Sequence, residues 1–134
     1  RYDETSTDYE VSQIIAFKEY LDSKGVNLLY VSEPCKYIED SYYTEQFGGE
    51  SYLNRNTDLL LSRIGDAGIE YLDLRDKIRE ENKDSLSMFY KADHHWNVPA
   101  SQWAAAKISE KLNESYGYNI DMSMHDPSNF SSVT

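Results

Sequence analysis

The residues of this chain best suited to chemistry crowd into one place: Asp93, His94 and His95, followed at once by Trp96. A carboxylate, two imidazoles and an indole in four consecutive positions are a poor solution to packing alone, because titratable groups are expensive to bury unless paired. If residues 88–91 lead into them extended, side chains alternate faces, so Asp93 and His95 share one side and His94 points to the other. A carboxylate that accepts from one ring nitrogen fixes the imidazole tautomer and leaves the second nitrogen as a general base toward a hydroxyl. Trp96 then stands as a wall beside the imidazole. The same residues also read as a capped helix start, with Asp93 and Asn97 satisfying backbone donors and the histidines solvated. Spacing alone leaves these two readings close to even.

Asp93, His94, His95 and His125 are also residue types that a divalent metal accepts. Adjacent histidines on an extended segment diverge, however, so the metal reading ranks below the carboxylate–imidazole pair, and no metal or cofactor is assigned. The sequence has no phosphate-cradling glycine loop and, with Cys35 its single cysteine, no cysteine pair for zinc.

The elements that must position this cluster are read from periodicity. Apolar positions Val11, Ile14, Ile15, Phe17, Tyr20 and Leu21 mostly recur at helical spacing from Asp8 onward, capped by Ser6 or Thr7 and ended at Gly25. Residues 26–31 form a nearly continuous apolar run, as in a strand covered by helices on both faces. Residues 32–55 have no clean period and hold Pro34, Gly48, Gly49 and Tyr37, Tyr42, Tyr43 and Tyr52, which predicts a long loop. It is either a cleft wall leaving a strand's carboxyl end or a surface excursion with its tyrosines lying on the core. A helix over 56–66 buries Leu59, Leu60, Ile64 and Ala67, and residues 69–74 form a second strand. Strand, helix, strand predicts a parallel crossover. Asp73 closes that strand, either facing the same rim as Asp93 or, more commonly, capping a short helix over 75–80. The charged run 75–84 reads as a solvated helix face. Residues 87–91 form the arm that delivers Asp93 and His95. A final helix over 99–114, with Pro99 near its first position, buries Trp103, Ala104, Ala106, Ile108 and Leu112. Residues 119–134 read as irregular.

The run Asp93-His94-His95-Trp96, with the following Asn97-Val98-Pro99-Ala100 and Ala104-Ala105-Ala106, resembles the DHHW proteins and the related alginate O-acetyltransferases. Their sugar-acetylating domain resembles an SGNH hydrolase. The likeness extends upstream to Pro34-Cys35-Lys36 and to the segment from Gly68 to Leu74. It implies an α/β fold, a three-layer α/β/α sandwich of SGNH hydrolase-like type with a mainly parallel sheet, of which this chain is one partial domain. It also implies Asp93 and His95 as catalytic residues and places Trp96, Lys36 and His94 at the substrate. The substrate is then an extracellular polysaccharide or an acetyl donor, in an extracellular or envelope-associated setting. The family's nucleophilic serine follows the Asp-x-His motif in a Gly-Asp-Ser type turn. No such turn occurs between Trp96 and Thr134, and Ser128, Ser131 and Ser132 lack the elbow context. The chain reads as a fragment with two thirds of a triad, so a binding module without turnover is the alternative.

Composition agrees with this class. A length of 134 residues suits one domain or part of one. A net charge of -11 argues against nucleic acid or anionic membrane as a partner but is compatible with a neutral sugar. No apolar run approaches membrane-spanning length and no signal peptide is visible. The start at Arg1 reads as a processed or excised chain. Cys35 cannot form an internal disulfide and is either a thiol nucleophile or a half-buried packing residue.

Overall fold

The computed structural model describes residues 3–49 and 51–131. Five α-helices and two short strands occur among them. Helix α1 spans Glu4–Asp22, and its cap lies upstream of the expected one: Asp3 accepts from the Ser6 backbone N–H at 3.0 Å. Strand β1 is Tyr30–Ser32 and strand β2 is Tyr71–Asp73. They pair in parallel, with Tyr30 opposite Tyr71, Val31 opposite Leu72 and Ser32 opposite Asp73. The parallel pairing matches the expectation from sequence, but both strands are shorter than expected, for a local reason. The Ile69 N–H donates to Ile64 O at 3.2 Å, closing the preceding helix, so the ladder starts only with Tyr30 N–H donating to Glu70 O at 2.9 Å.

The apolar run that leads into β1 alternates between two cores. Leu28 and Tyr30 pack with Val11, Ile64 and Ile69, whereas Leu29 and Val31 pack with Leu72, Leu74 and Ala104. Helices therefore flank the strand pair on both faces: α1 and α3 (Leu53–Asp66) on one, α5 (Val98–Tyr116) on the other. The architecture is helix-rich around a small parallel sheet.

The stretch read as one long loop contains a helix, α2, at Asp40–Phe47. It has almost no apolar period and stops at Gly48, whose φ of +70° is the left-handed conformation that glycine adopts freely. Asp40 explains its position. Tyr52, at the start of α3, makes no side-chain cap, and Asp40 takes that role from α2: its carboxylate accepts from the backbone N–H groups of Asn54 at 3.2 Å and Arg55 at 3.3 Å. Of the four side chains expected to be buried on α3, Ile64 is buried and Leu60 only half-buried. Ala67 is exposed, Leu59 is half-buried, and Leu61 takes the buried place on α3.

Helix α4 runs Leu74–Glu80, and Asp73 caps it by accepting from the Arg75 N–H at 2.9 Å. The charged run beyond it is not uniformly solvated. Arg75 is 2% exposed, and its guanidinium donates to Asp73, to Asn54 and, at 2.6 Å, to Asp58. Burial works against the charge, yet the bonds and field of Asp73, then of Asp58, raise its pKa above the ordinary arginine value.

Candidate active site

The arm leading to Asp93 is a 3₁₀ turn, Ser85–Met88, rather than a strand. After it the chain makes a short loop that closes on itself. Phe89 and Trp96 form an antiparallel bridge. The Tyr90 N–H donates to His95 O at 3.1 Å, and the Asp93 N–H to Tyr90 O at 3.2 Å. Both ends of the loop sit on the core: Phe89 is buried with Ile78, Met88 and Ala100, and Trp96 packs against the same cluster. The two rings meet edge to face, with centroids 5.9 Å apart.

Asn97 fixes the exit from this loop. Its side chain accepts from the Ala100 N–H at 3.0 Å, capping α5, and donates to Ser87 O at 2.7 Å. Asn97 is therefore the helix cap, while Asp93 satisfies a backbone donor within the loop and both histidines stay exposed, as the capped-start reading expects. Asp93 Oδ1 accepts from the His95 backbone N–H at 3.2 Å, an Asx-type turn, and lies 2.7 Å from His95 Nδ1. These bonds, the imidazole one foremost, hold the Asp93 carboxyl below the usual carboxylate range. An ionised carboxylate only accepts, so His95 Nδ1 carries the proton, and in the neutral ring Nε2 presents the lone pair.

The turn also overturns the expectation that His94 points away. An extended backbone would separate the two imidazoles, but the bend at 93–95 brings them together, with ring centroids 4.2 Å apart and His94 Nδ1 at 3.3 Å from Asp93 Oδ1. His94, rather than His95, lines the neighbouring cleft. Trp96 lies on the core side of the loop between Phe89 and Trp103, so the ring beside His95 is that of His94.

That cleft, of about 510 Å³, lies between α2 and the loop and is lined by Cys35, Lys36, Tyr37, Tyr43, Asp93 and His94, among others. Lys36 crosses it from the segment after β1. Its ammonium donates to the carbonyls of Tyr90 at 2.9 Å, Lys91 at 3.0 Å and Asp93 at 3.3 Å. The two other nucleophile types on this wall are engaged elsewhere. The Cys35 thiol donates to Tyr37 O at 2.9 Å, and burial pushes its pKa up, which disfavours the thiolate. The Ser51 hydroxyl donates to Asp40 at 3.1 Å.

Sequence reasoning missed Lys36's attachment to the loop and the buried Arg75 network with Asn54. No local pattern announces the first, since 54 residues separate Lys36 from Tyr90. The second had a signal, an Asp at a strand's end with Arg two residues later.

Compared with curated proteins and with solved structures, the chain matches none. Compared with protein families, residues 3–124 match the SGNH hydrolase-like domain of the acetyltransferase AlgX, a span that includes both strands, the cleft wall and the Asp93 loop. The chain therefore belongs to the SGNH hydrolase-like acetyltransferase family, whose chemistry is acyl transfer.

Proposed function

We propose that this chain supplies the Asp–His pair of an acyl-transfer site that moves acetyl groups to or from hydroxyls of an extracellular polysaccharide. His95 is the general base, Asp93 its orienting partner, and the nucleophile is a serine outside this chain. The observation that carries the reading is the 2.7 Å contact between His95 Nδ1 and Asp93 Oδ1, which leaves Nε2 free to take a hydroxyl proton. His94 and Lys36 line the neighbouring cleft, and Trp96 anchors the loop that carries the pair. Because His94 and not His95 faces that cleft, His94→Ala is the variant that tells whether the base is His94 instead. In this reading β1 and β2 are part of a larger parallel sheet in a three-layer α/β/α sandwich, and the cleft opens at its carboxyl edge.

The mechanism follows from the ring's tautomer. The serine hydroxyl gives its proton to Nε2 as its oxygen attacks the acyl carbonyl, and the imidazolium is stabilised by Asp93. The same proton then passes to the leaving alkoxide. A sugar hydroxyl or water, deprotonated by Nε2 in turn, releases the acyl group from the serine. Which of the two attacks decides between transfer and hydrolysis.

The test is turnover of an activated acetyl ester by the full-length protein with a chelator present. His95→Ala and Asp93→Ala are expected to lower kcat/KM by roughly 10²- to 10⁴-fold, and residues 1–134 alone to be nearly inactive. A full-length protein indifferent to His95→Ala would refute the assignment. A full-length protein with no turnover that still binds polysaccharide would establish the binding-module alternative.

A further inference from the structure

Adjacent histidines diverge only on an extended backbone, and the backbone here is bent. Asp93, His94 and His95 each offer a ligand atom, and those atoms all lie within 4.8 Å of one another. One carboxylate oxygen and two imidazole nitrogens are the donor set that zinc takes in open sites, with a remaining position left to water. The side chains of His94 and His95 are 87% and 68% exposed, so both rings can settle around an ion by small rotations without disturbing the core. The same donor set is poor for Mg²⁺ and Ca²⁺, which demand oxygen ligands.

We propose that Asp93, His94 and His95 form a binding site for a divalent transition metal such as Zn²⁺, and that the ion silences the His95 base. The binding stands on geometry alone, whereas the silencing rests on the acyl-transfer reading. The chemistry follows from the single ring proton. Without metal, Nδ1–H donates to Asp93 and the lone pair lies on Nε2. An ion bound at Nδ1 needs the lone pair there, so the Nδ1–H bond breaks and, through solvent, an Nε2–H bond forms. The ring stays neutral, no electron is transferred, and the ion exchanges bound waters for protein ligands. The nitrogen that would accept a hydroxyl proton has become a donor. The ion also occupies Asp93 Oδ1, the acceptor that stabilises the imidazolium.

The experiment is a titration of this chain with ZnCl₂, read by calorimetry and by the ring ¹⁵N signals of the histidines. Saturation at one equivalent is expected. His94 and His95 should show metal-bound Nδ1, and His95 should change to the Nε2–H tautomer. His125, whose Nε2 is 2.9 Å from Ser109 Oγ, should stay as it was. His94→Ala should weaken binding roughly tenfold or more, since loss of even an outer partner of a ligand costs about that. His125→Ala should bind as the parent does, and MgCl₂ should shift neither imidazole. Absence of binding at submillimolar zinc, undiminished binding by His94→Ala, or a saturated complex in which His95 keeps its Nδ1–H would each overturn the proposal. The catalytic reading is decided separately, by turnover with chelator present.

Discussion

Lys36 and Asp93 both hold the loop, one by donating and one by accepting. An ammonium has three protons, and Lys36 meets three carbonyls of the loop. Lys36→Met is expected to cost about 1 kcal/mol of local order, the net worth of such bonds at a partly exposed position. The check is hydrogen exchange at the His95 amide, which should speed up several-fold while amides of α1 keep their rates. Acid acts on the same loop through Asp93. Its pKa is lowered in the folded state, so its contribution is complete above the ordinary carboxylate range and is lost as pH falls through the depressed value. An NMR titration should show the His95 Nδ1–H bond released in step with protonation of Asp93, and Asp93→Asn should abolish that acid transition.

Among the elements, α3 depends on a cap lent by another helix. Burial alone would raise the pKa of Asp40, but the bonds from Asn54, Ser51 and Arg55 outweigh it and lower it. Asp40→Ala is expected to destabilise the chain by about 1 kcal/mol, as for other lost N-caps, measured by urea denaturation at neutral pH. Because the folded-state pKa is the lower one, this loss should be full at neutral pH and shrink as pH falls through it. The same contact explains what the sequence left unread. Helices α1, α3 and α5 were legible because an apolar stripe or a Pro near the start marks them, and the parallel pairing followed from their order. Helix α2 was hidden because its stabilisation comes through Asp40 from residues 51–55, not from its own period. At the site, the residue types Asp93 and His95 were readable, but the face of His94 was not. Alternation holds for a strand, and here an Asx turn replaces it.

At the scale of the molecule, one buried cation ties three elements together. Arg75 joins Asp73 at the end of β2, its own helix α4, and Asn54 and Asp58 on α3. Removing one partner of such a network leaves uncompensated buried charge, so Arg75→Met should cost about 3 kcal/mol or more. Against a typical domain stability of about 5–15 kcal/mol this is a large fraction, and thermal unfolding followed by circular dichroism should show it as a clear drop in Tm. Asn54 also donates to Tyr37 O at 3.0 Å, so the variant should loosen the cleft wall before the Asp93 loop. That loop stands outside the network, pinned by Phe89 and Trp96 with its imidazoles in open water. In bulk water two unit charges 4 Å apart attract by only about 1 kcal/mol, against about 4 kcal/mol at the lower dielectric near a protein surface. In the proposed acyl transfer the loop would fix the direction of the proton's path, and the polarity of any surface closing over the imidazoles would set the force along it. A lid of low polarity would turn a weakly coupled pair into a strong one without moving an atom of this chain.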